Sequence, residues 1–315
     1  MRKFMAIFAC FCLLGAAAFF LLPQAGLAGH QENTRLVTDS TGREVNIPQH
    51  PQRVVILNAS NIDLYVAAGG GETIVGKAAS KALSPQVMKA TEKAAEVGII
   101  HSPDVEKILS LKPDLVVGTN VPFHTNLADT LAQAGIPLYI QSLDSMEELT
   151  SALQFYGTLT GEEAKAQATV TKLTASMAEI KERTAGKNPP KSLIVFGSPD
   201  SFNMGTGKCF TGSLLNELGG GNIADQAQGE GGYLPISMEF VARENPEVIF
   251  IIMHGQAEEL EAKMRQELAG SEAWQNIAAV QQGRVYILPY ELFAVNPGVR
   301  AAEALQVLAE DMYSQ

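Results

Sequence analysis

The chain has 315 residues, 46% of them hydrophobic, with 23 Lys and Arg against 34 Asp and Glu and a formal net charge of −11. That length supports one large domain or two of ordinary size, each with a core of its own. An acidic chain without a basic run is poorly suited to nucleic acid or to an anionic lipid surface.

Met1-Arg2-Lys3 is a short positive region, Phe4 to Leu22 is almost wholly apolar, and "PQAGLAG" follows. Gly26-Leu27-Ala28 offers small residues for cleavage after Ala28, so residues 1–28 read as a secretory signal peptide. The competing reading is an uncleaved anchor, because the apolar run is nearly long enough to span a bilayer. Cys10 and Cys12 fall in this segment, which leaves Cys209 as the single thiol of a mature chain and excludes an intrachain disulfide.

Residues 35–47 predict a hairpin that turns at Ser40-Thr41-Gly42. An alternation of strands and helices follows: "RVVILN", "NIDLYVAAGG", "TIVGKA", then the stretch "GIIHSPDVEKILSLKPDLVVG" from Gly98 to Gly118. There Ser102 reads as a helix cap and Pro103 as the first helical residue, with Pro113 as the stop before a buried strand. His101, just ahead of that start, has no scaffold role. "LADTLAQAG" and "IPLYIQSL" complete the first half, and alternation of this kind argues for parallel sheet covered by helices. Ser145…Glu148 and Thr160…Glu163 have the capping-box pattern and open a helical region that runs to about Thr184.

After "AGKNPPK" the pattern restarts with "SLIVFGS", "SLLNELGGG", "EFVARENPEVIFII", "EELEAKMRQELAG", "GRVYILP" and "GVRAAEALQVLAEDMY". "EKILSLKPDLVV" corresponds to "EFVARENPEVIF", and Glu106 stands before Pro113 as Glu239 stands before Pro246. The expected architecture is α/β, two similar lobes with central, mostly parallel sheets, joined by one long bridging helix, with a ligand cleft between them. The expected divisions are 29–143, 144–187 and 188–315.

"NMGTGKC" fails as a phosphate loop, because Phe202 stands where a glycine is needed and Cys209 where a hydroxyl is needed. No local Ser/His/Asp, paired-histidine or CxxC pattern supports a hydrolase or zinc site. Glu106 and Glu239 sit in first helical turns, where they read either as solvated acids on a helix dipole or as a symmetric pair of docking points. His30 and His50 read as solvent residues. His101, His124 and His254 fall at loops on the carboxyl side of strands or before helices, where α/β sheets place ligands. Two histidines on facing lobes would suit a flat metal complex held from both sides through neutral imidazole nitrogens.

"DSTGREVNIPQHPQRVVIL", "VEKILSLKPDLVVG", "LLNELGGGNI" and "NPGVRAAEALQVLAEDMY" make residues 35–315 resemble the cluster-III periplasmic binding proteins. These are solute receptors of ABC importers for haem, iron siderophores and cobalamin. The resemblance implies a non-enzymatic, monomeric, extracytoplasmic receptor whose partners are a permease with its ATPase and a small-molecule metal complex. It also implies that Glu106 and Glu239 pair with permease arginines. Within the superfamily the chain is most similar to the Isd-type haem receptor lipoproteins, whose axial ligands are a methionine in "MSPD" and a histidine in "HG-x-x-EE". Here the motifs read His101-Ser102-Pro103-Asp104 and His254-Gly255-Gln256-Ala257-Glu258-Glu259. The exchange implies bis-histidine haem through His101 and His254, or a different metal complex. The missing lipobox implies a soluble receptor rather than a lipoprotein.

The candidate cleft loops (Asn58 to Asn61, Lys77 to Lys81, Thr119 to His124, Ser198 to Lys208) contain no arginine, which disfavours strongly anionic ferric siderophores. The expected ligand set is His101, His254, His124, Asn58, Ser60, Lys77, Asn120, Phe202, Met204, Lys208 and Phe293. Lysines 77, 81 and 208, with Arg300, are candidates for haem propionates. Cobalamin stays open through Phe202, Tyr233 and Phe293. A chelatase-like enzyme using His101 or His254 as proton acceptor is the reading from another class.

Overall fold

A computed structural model describes residues 33–197, 201–253 and 257–314. The expected signal peptide and His254 lie outside the described residues. The first element is a hairpin of β1 (Thr34–Thr38) and β2 (Glu44–Pro48), with Thr38 opposite Glu44. The Asp39 carboxylate ties its turn by accepting from the Thr41 and Arg43 backbone N–H groups at 2.9 and 3.1 Å.

The first lobe contains β3 (Val54–Ile56), α1 (Ala59–Ala67), β4 (Ile74–Lys77), β5 (Ala95–Glu96), α2 (Val105–Ser110), β6 (Leu115–Gly118) and β7 (Leu138–Ile140). Its strands lie in the order β5-β4-β3-β6-β7 and every pairing is parallel. Two helices follow, α3 (Met146–Thr160) and α4 (Glu163–Thr184). The second lobe contains β8 (Lys191–Gly197), β9 (Phe202–Gly205), α5 (Phe210–Glu217), β10 (Tyr233–Pro235), α6 (Met238–Glu244), β11 (Val248–Met253), β12 (Val285–Ile287) and α7 (Ala301–Tyr313). Its sheet runs β10-β9-β8-β11-β12, with Gly221–Asn222 also pairing with β8. The pairings β8–β11 and β11–β12 are parallel, whereas β9 runs against both β8 and β10.

Strand side chains alternate between two faces, and here both faces are buried. Val54, Ile56, Leu115 and Val117 of the first sheet, with Ile194, Val248, Phe250 and Ile252 of the second, join one core. That core continues through Leu149, Tyr156, Leu173 and Ile180 of the connecting helices and Leu305 and Leu308 of α7. The intervening residues face outward into separate cores, Val55, Val116 and Leu138 in one lobe and Leu193, Val195, Ile249 and Ile251 in the other. The spine therefore holds the inner faces of both sheets.

The internal repeat extends to backbone detail. Lys112 and Asn245, each directly before its proline, are the non-glycine residues with positive φ among the described residues, both at +47°. After each proline an acid opens a strand. Asp114 accepts from the Arg53 N–H at 3.0 Å, and Glu247 accepts from the Lys191 N–H at 2.8 Å. The backbone N–H groups of the two acids return the bond to the Arg53 and Lys191 carbonyls.

Three local expectations are corrected. The α2 cap is Asp104, which accepts from the Lys107 N–H, and Ser102–Pro103 instead pairs antiparallel with Gly98–Ile99. Gly98, at φ +90°, lets the chain fold back so tightly that a Cβ there would overlap the Ser102 carbonyl. The connection is two helices rather than one, because Gly161 takes a left-handed conformation and ends α3. Thr160 is the last residue of α3 and donates to the Ala68 carbonyl, so it caps nothing downstream. The longer member, α4, has 22 residues and spans about 33 Å.

Candidate functional site

Open α/β sheets bind ligands beyond the carboxyl ends of their strands. In the first lobe those ends lead into Asn58, Ala78, Thr119 and Gln141. In the second, β12 leads into the buried Leu288, while β8 and β11 lead into residues 198–200 and 254–256, which lie outside the described residues.

His101 is an exposed residue in the turn between Gly98–Ile99 and Ser102–Pro103. Its ring meets Phe123 edge-on, with centroids 5.4 Å apart at 71°. Phe123 is 50% exposed and Ile99, two residues before His101, is 52% exposed. Large apolar side chains left in water beside an imidazole mark a surface that expects a partner. Neither Phe123 nor Ile99 is in the sequence-derived ligand set.

His124 is fully buried, and its Nδ1 accepts from the Thr119 N–H at 3.0 Å. That bond puts the proton of the neutral ring on Nε2. Nε2 is itself buried, close to the Ile100 backbone. Burial pushes the His124 pKa down to about 4, against the Ile100 backbone and together with repulsion from His101. His124 is thus a neutral ring beneath the His101 turn rather than an open ligand.

Other expected ligand residues are occupied by the scaffold. The Lys77 ammonium is buried and donates to the Thr91 carbonyl and hydroxyl at 3.0 and 2.9 Å, which takes it away from a propionate. Asn58 accepts from the Asn61 amide at 2.9 Å, and Asn61 accepts from the Tyr156 hydroxyl at 2.8 Å. Ser60 donates to the Asn296 carbonyl at 2.8 Å. Met204 and Phe293 are buried in separate cores. Arg300 is paired with Glu303. Asn120 and Lys208 are exposed, Phe202 is half-buried with the Lys263 ammonium 5.5 Å from its ring centre, and Tyr233 is 48% exposed beside Phe196.

Glu106 and Glu239 are exposed in the first turns of α2 and α6. Each stands two residues after the side chain that caps its helix, Asp104 or Ser237. Among the described residues, no group of three or more His, Cys, Asp or Glu side chains is placed to hold a bare metal ion.

Two similar α/β lobes on a helical spine are the architecture of a bilobal solute-binding protein. The chain belongs to the periplasmic binding protein family, which it matches over residues 54–292. It is 28% identical over 284 residues to the uncharacterized ABC transporter substrate-binding lipoprotein YvrC of Bacillus subtilis (strain 168), covering 88% of this chain and 85% of that one. It is 26% identical over 241 residues to the high-affinity heme uptake system protein IsdE of Staphylococcus aureus (strain MRSA252), covering 76% of this chain and 80% of that one. A crystal structure of S. aureus IsdE complexed with heme aligns at TM-score 0.74 and 25% identity, covering 83% of this chain and 99% of that chain.

Proposed function

We propose that this chain is the extracytoplasmic receptor of an ABC importer, and that it carries haem between its lobes to a membrane permease. The observation that carries the reading is His101, an exposed imidazole with the half-exposed Phe123 at its rim. A flat, mainly apolar metal complex would cover that rim while the imidazole takes its iron. The similarity to IsdE, a heme uptake protein, points the same way. His254, after β11, would be the ligand from the second lobe. Residues 29–143 and 188–315 would form the lobes, 144–187 the spine, and residues 1–28 the export signal. Glu106 and Glu239 would be the permease contacts, and the protein would act as a monomer without catalysis.

Titration of the purified protein with ferric haem tests this reading. Two nitrogen donors should give a one-to-one, six-coordinate, low-spin spectrum. His101→Ala and His254→Ala should each give a five-coordinate or water-ligated spectrum and faster haem loss. Affinity should fall on acidification, because a protonated ring cannot coordinate. A wild-type protein that leaves the Soret band unmoved would refute haem and promote cobalamin or a siderophore.

A further inference from the structure

His101 is exposed in the turn between Gly98–Ile99 and Ser102–Pro103. One neighbouring turn, Pro122–Thr125, meets it through the Phe123 ring and carries the buried His124 next to it in sequence. Phe123 lies edge-on to the His101 ring from the exposed side. His124 is buried, and the electrostatic neighbours of its ring are Ile100, His101 and Thr119. The Thr119 N–H bond fixes the orientation of the His124 ring. Gly118 makes the room for it, since a Cβ there would stand 3.1 Å from the His124 Cβ and 3.3 Å from its Nδ1. The same helical turn packs against Ser102–Pro103, the strand that follows His101.

We propose that Phe123 and His124 are positioning residues, holding the turn and ring of His101 in one orientation before the ligand arrives. The proposal rests on the reading of His101 as a metal ligand. Phe123 stands against the ring, and the turn that carries it, seated by the buried His124, packs against the strand that follows His101. A ligand that meets a ring already oriented need not immobilise it, so the gain appears as slower loss of the bound complex. Groups behind a metal ligand typically change affinity by about 10- to 100-fold when removed.

The test uses the whole protein with Phe123→Ala, His124→Leu, His124→Asn and His101→Ala. Phe123→Ala alters an exposed side chain, so it tests the proposal without threatening the core. Asn at 124 offers an amide oxygen where Nδ1 accepts the Thr119 N–H, and serves as the conservative rescue. Haem loss to an excess of apomyoglobin should be about tenfold faster in Phe123→Ala and His124→Leu, with His124→Asn close to wild type. Imidazole NMR of the ligand-free protein should show one ordered His101 ring in wild type and conformational averaging in the first two variants. If His101→Ala speeds haem loss while Phe123→Ala and His124→Leu do not, the positioning role is refuted and the haem reading stands. If His101→Ala leaves haem loss unchanged, the reading of His101 fails and the proposal with it.

Discussion

The Lys77 ammonium meets the C-terminal end of the helix Pro85–Ala90, where Thr91 is the cap residue. Helix carbonyls left without partners favour a cation there, so the charge is accommodated without a carboxylate. Lys77→Met keeps much of the stem and removes the donors. It should cost about 1.5–3 kcal/mol of stability, the range for a hydrogen bond to a charged group, while haem affinity stays within about twofold. Thermal denaturation and titration check this together; lost affinity at unchanged Tm would return Lys77 to the ligand site. His101 stands out in the sequence by its place in a motif. Its apolar rim does not, because the exposure of Phe123 depends on how a second loop folds over the first. Asn58 and Ser60 were misleading for a related reason. Polar residues at strand ends suit ligand contacts and internal networks equally, and only the positions of Asn61, Tyr156 and Asn296 decide between them.

At the scale of elements, the buried parallel strands were readable because hydrophobic runs alternate with helices at short spacing, whereas the antiparallel Phe202–Gly205 and Tyr233–Pro235 were not. Helix starts were less readable. Ser102 and Asp104 are both capping types, and the choice falls to Asp104 because Gly98 turns the preceding chain back. That shift does not move Glu106, which stays in the first turn with its carboxylate in water, as Glu239 does in the other lobe. Reversing both charges would cost each helix only a few tenths of a kcal/mol through its dipole. Glu106→Arg with Glu239→Arg should therefore leave folding intact and haem affinity within a few-fold, yet abolish uptake by cells carrying the cognate permease, since mismatched charge at an interface suppresses association. Normal transport in the double variant would remove the docking role.

At the scale of the whole molecule, the lobes are linked by more than the α3–α4 spine. The segment ahead of α7 docks onto α1: Asn296 donates to the Leu143 carbonyl at 2.6 Å, and the Val299 N–H donates to the Asp63 carboxylate at 2.8 Å. Gly298, at φ +60°, permits the approach, because a Cβ there would overlap the same carboxylate. Arg300 faces Asp63 but is bonded to Glu303, and Glu291 lines the same small cavity. Burial pushes the Asp63 pKa up to about 6, against the lowering effects of the Val299 N–H and Arg300. An unfolded aspartate titrates near 3.9. Between about pH 4 and 6 the folded protein thus keeps a proton that the unfolded chain gives up, so the stability owed to this site falls as pH rises through that window. Two pKa steps correspond to roughly 1–3 kcal/mol after allowance for partial exposure. Asp63→Asn retains an oxygen for the Val299 N–H and carries no charge. Chemical denaturation should find the variant more stable than wild type by that amount at pH 7.5, with the gap closing below about pH 4. Comparing the two proteins at each pH cancels the titration of every other group. A gap that does not vary with pH would show that Asp63 titrates in the seam as it does in the unfolded chain. A gap that closes on acidification would mean that the ionised carboxylate is less favourable in this buried seam than in water, so that Asp63 lowers the stability of the fold at neutral pH.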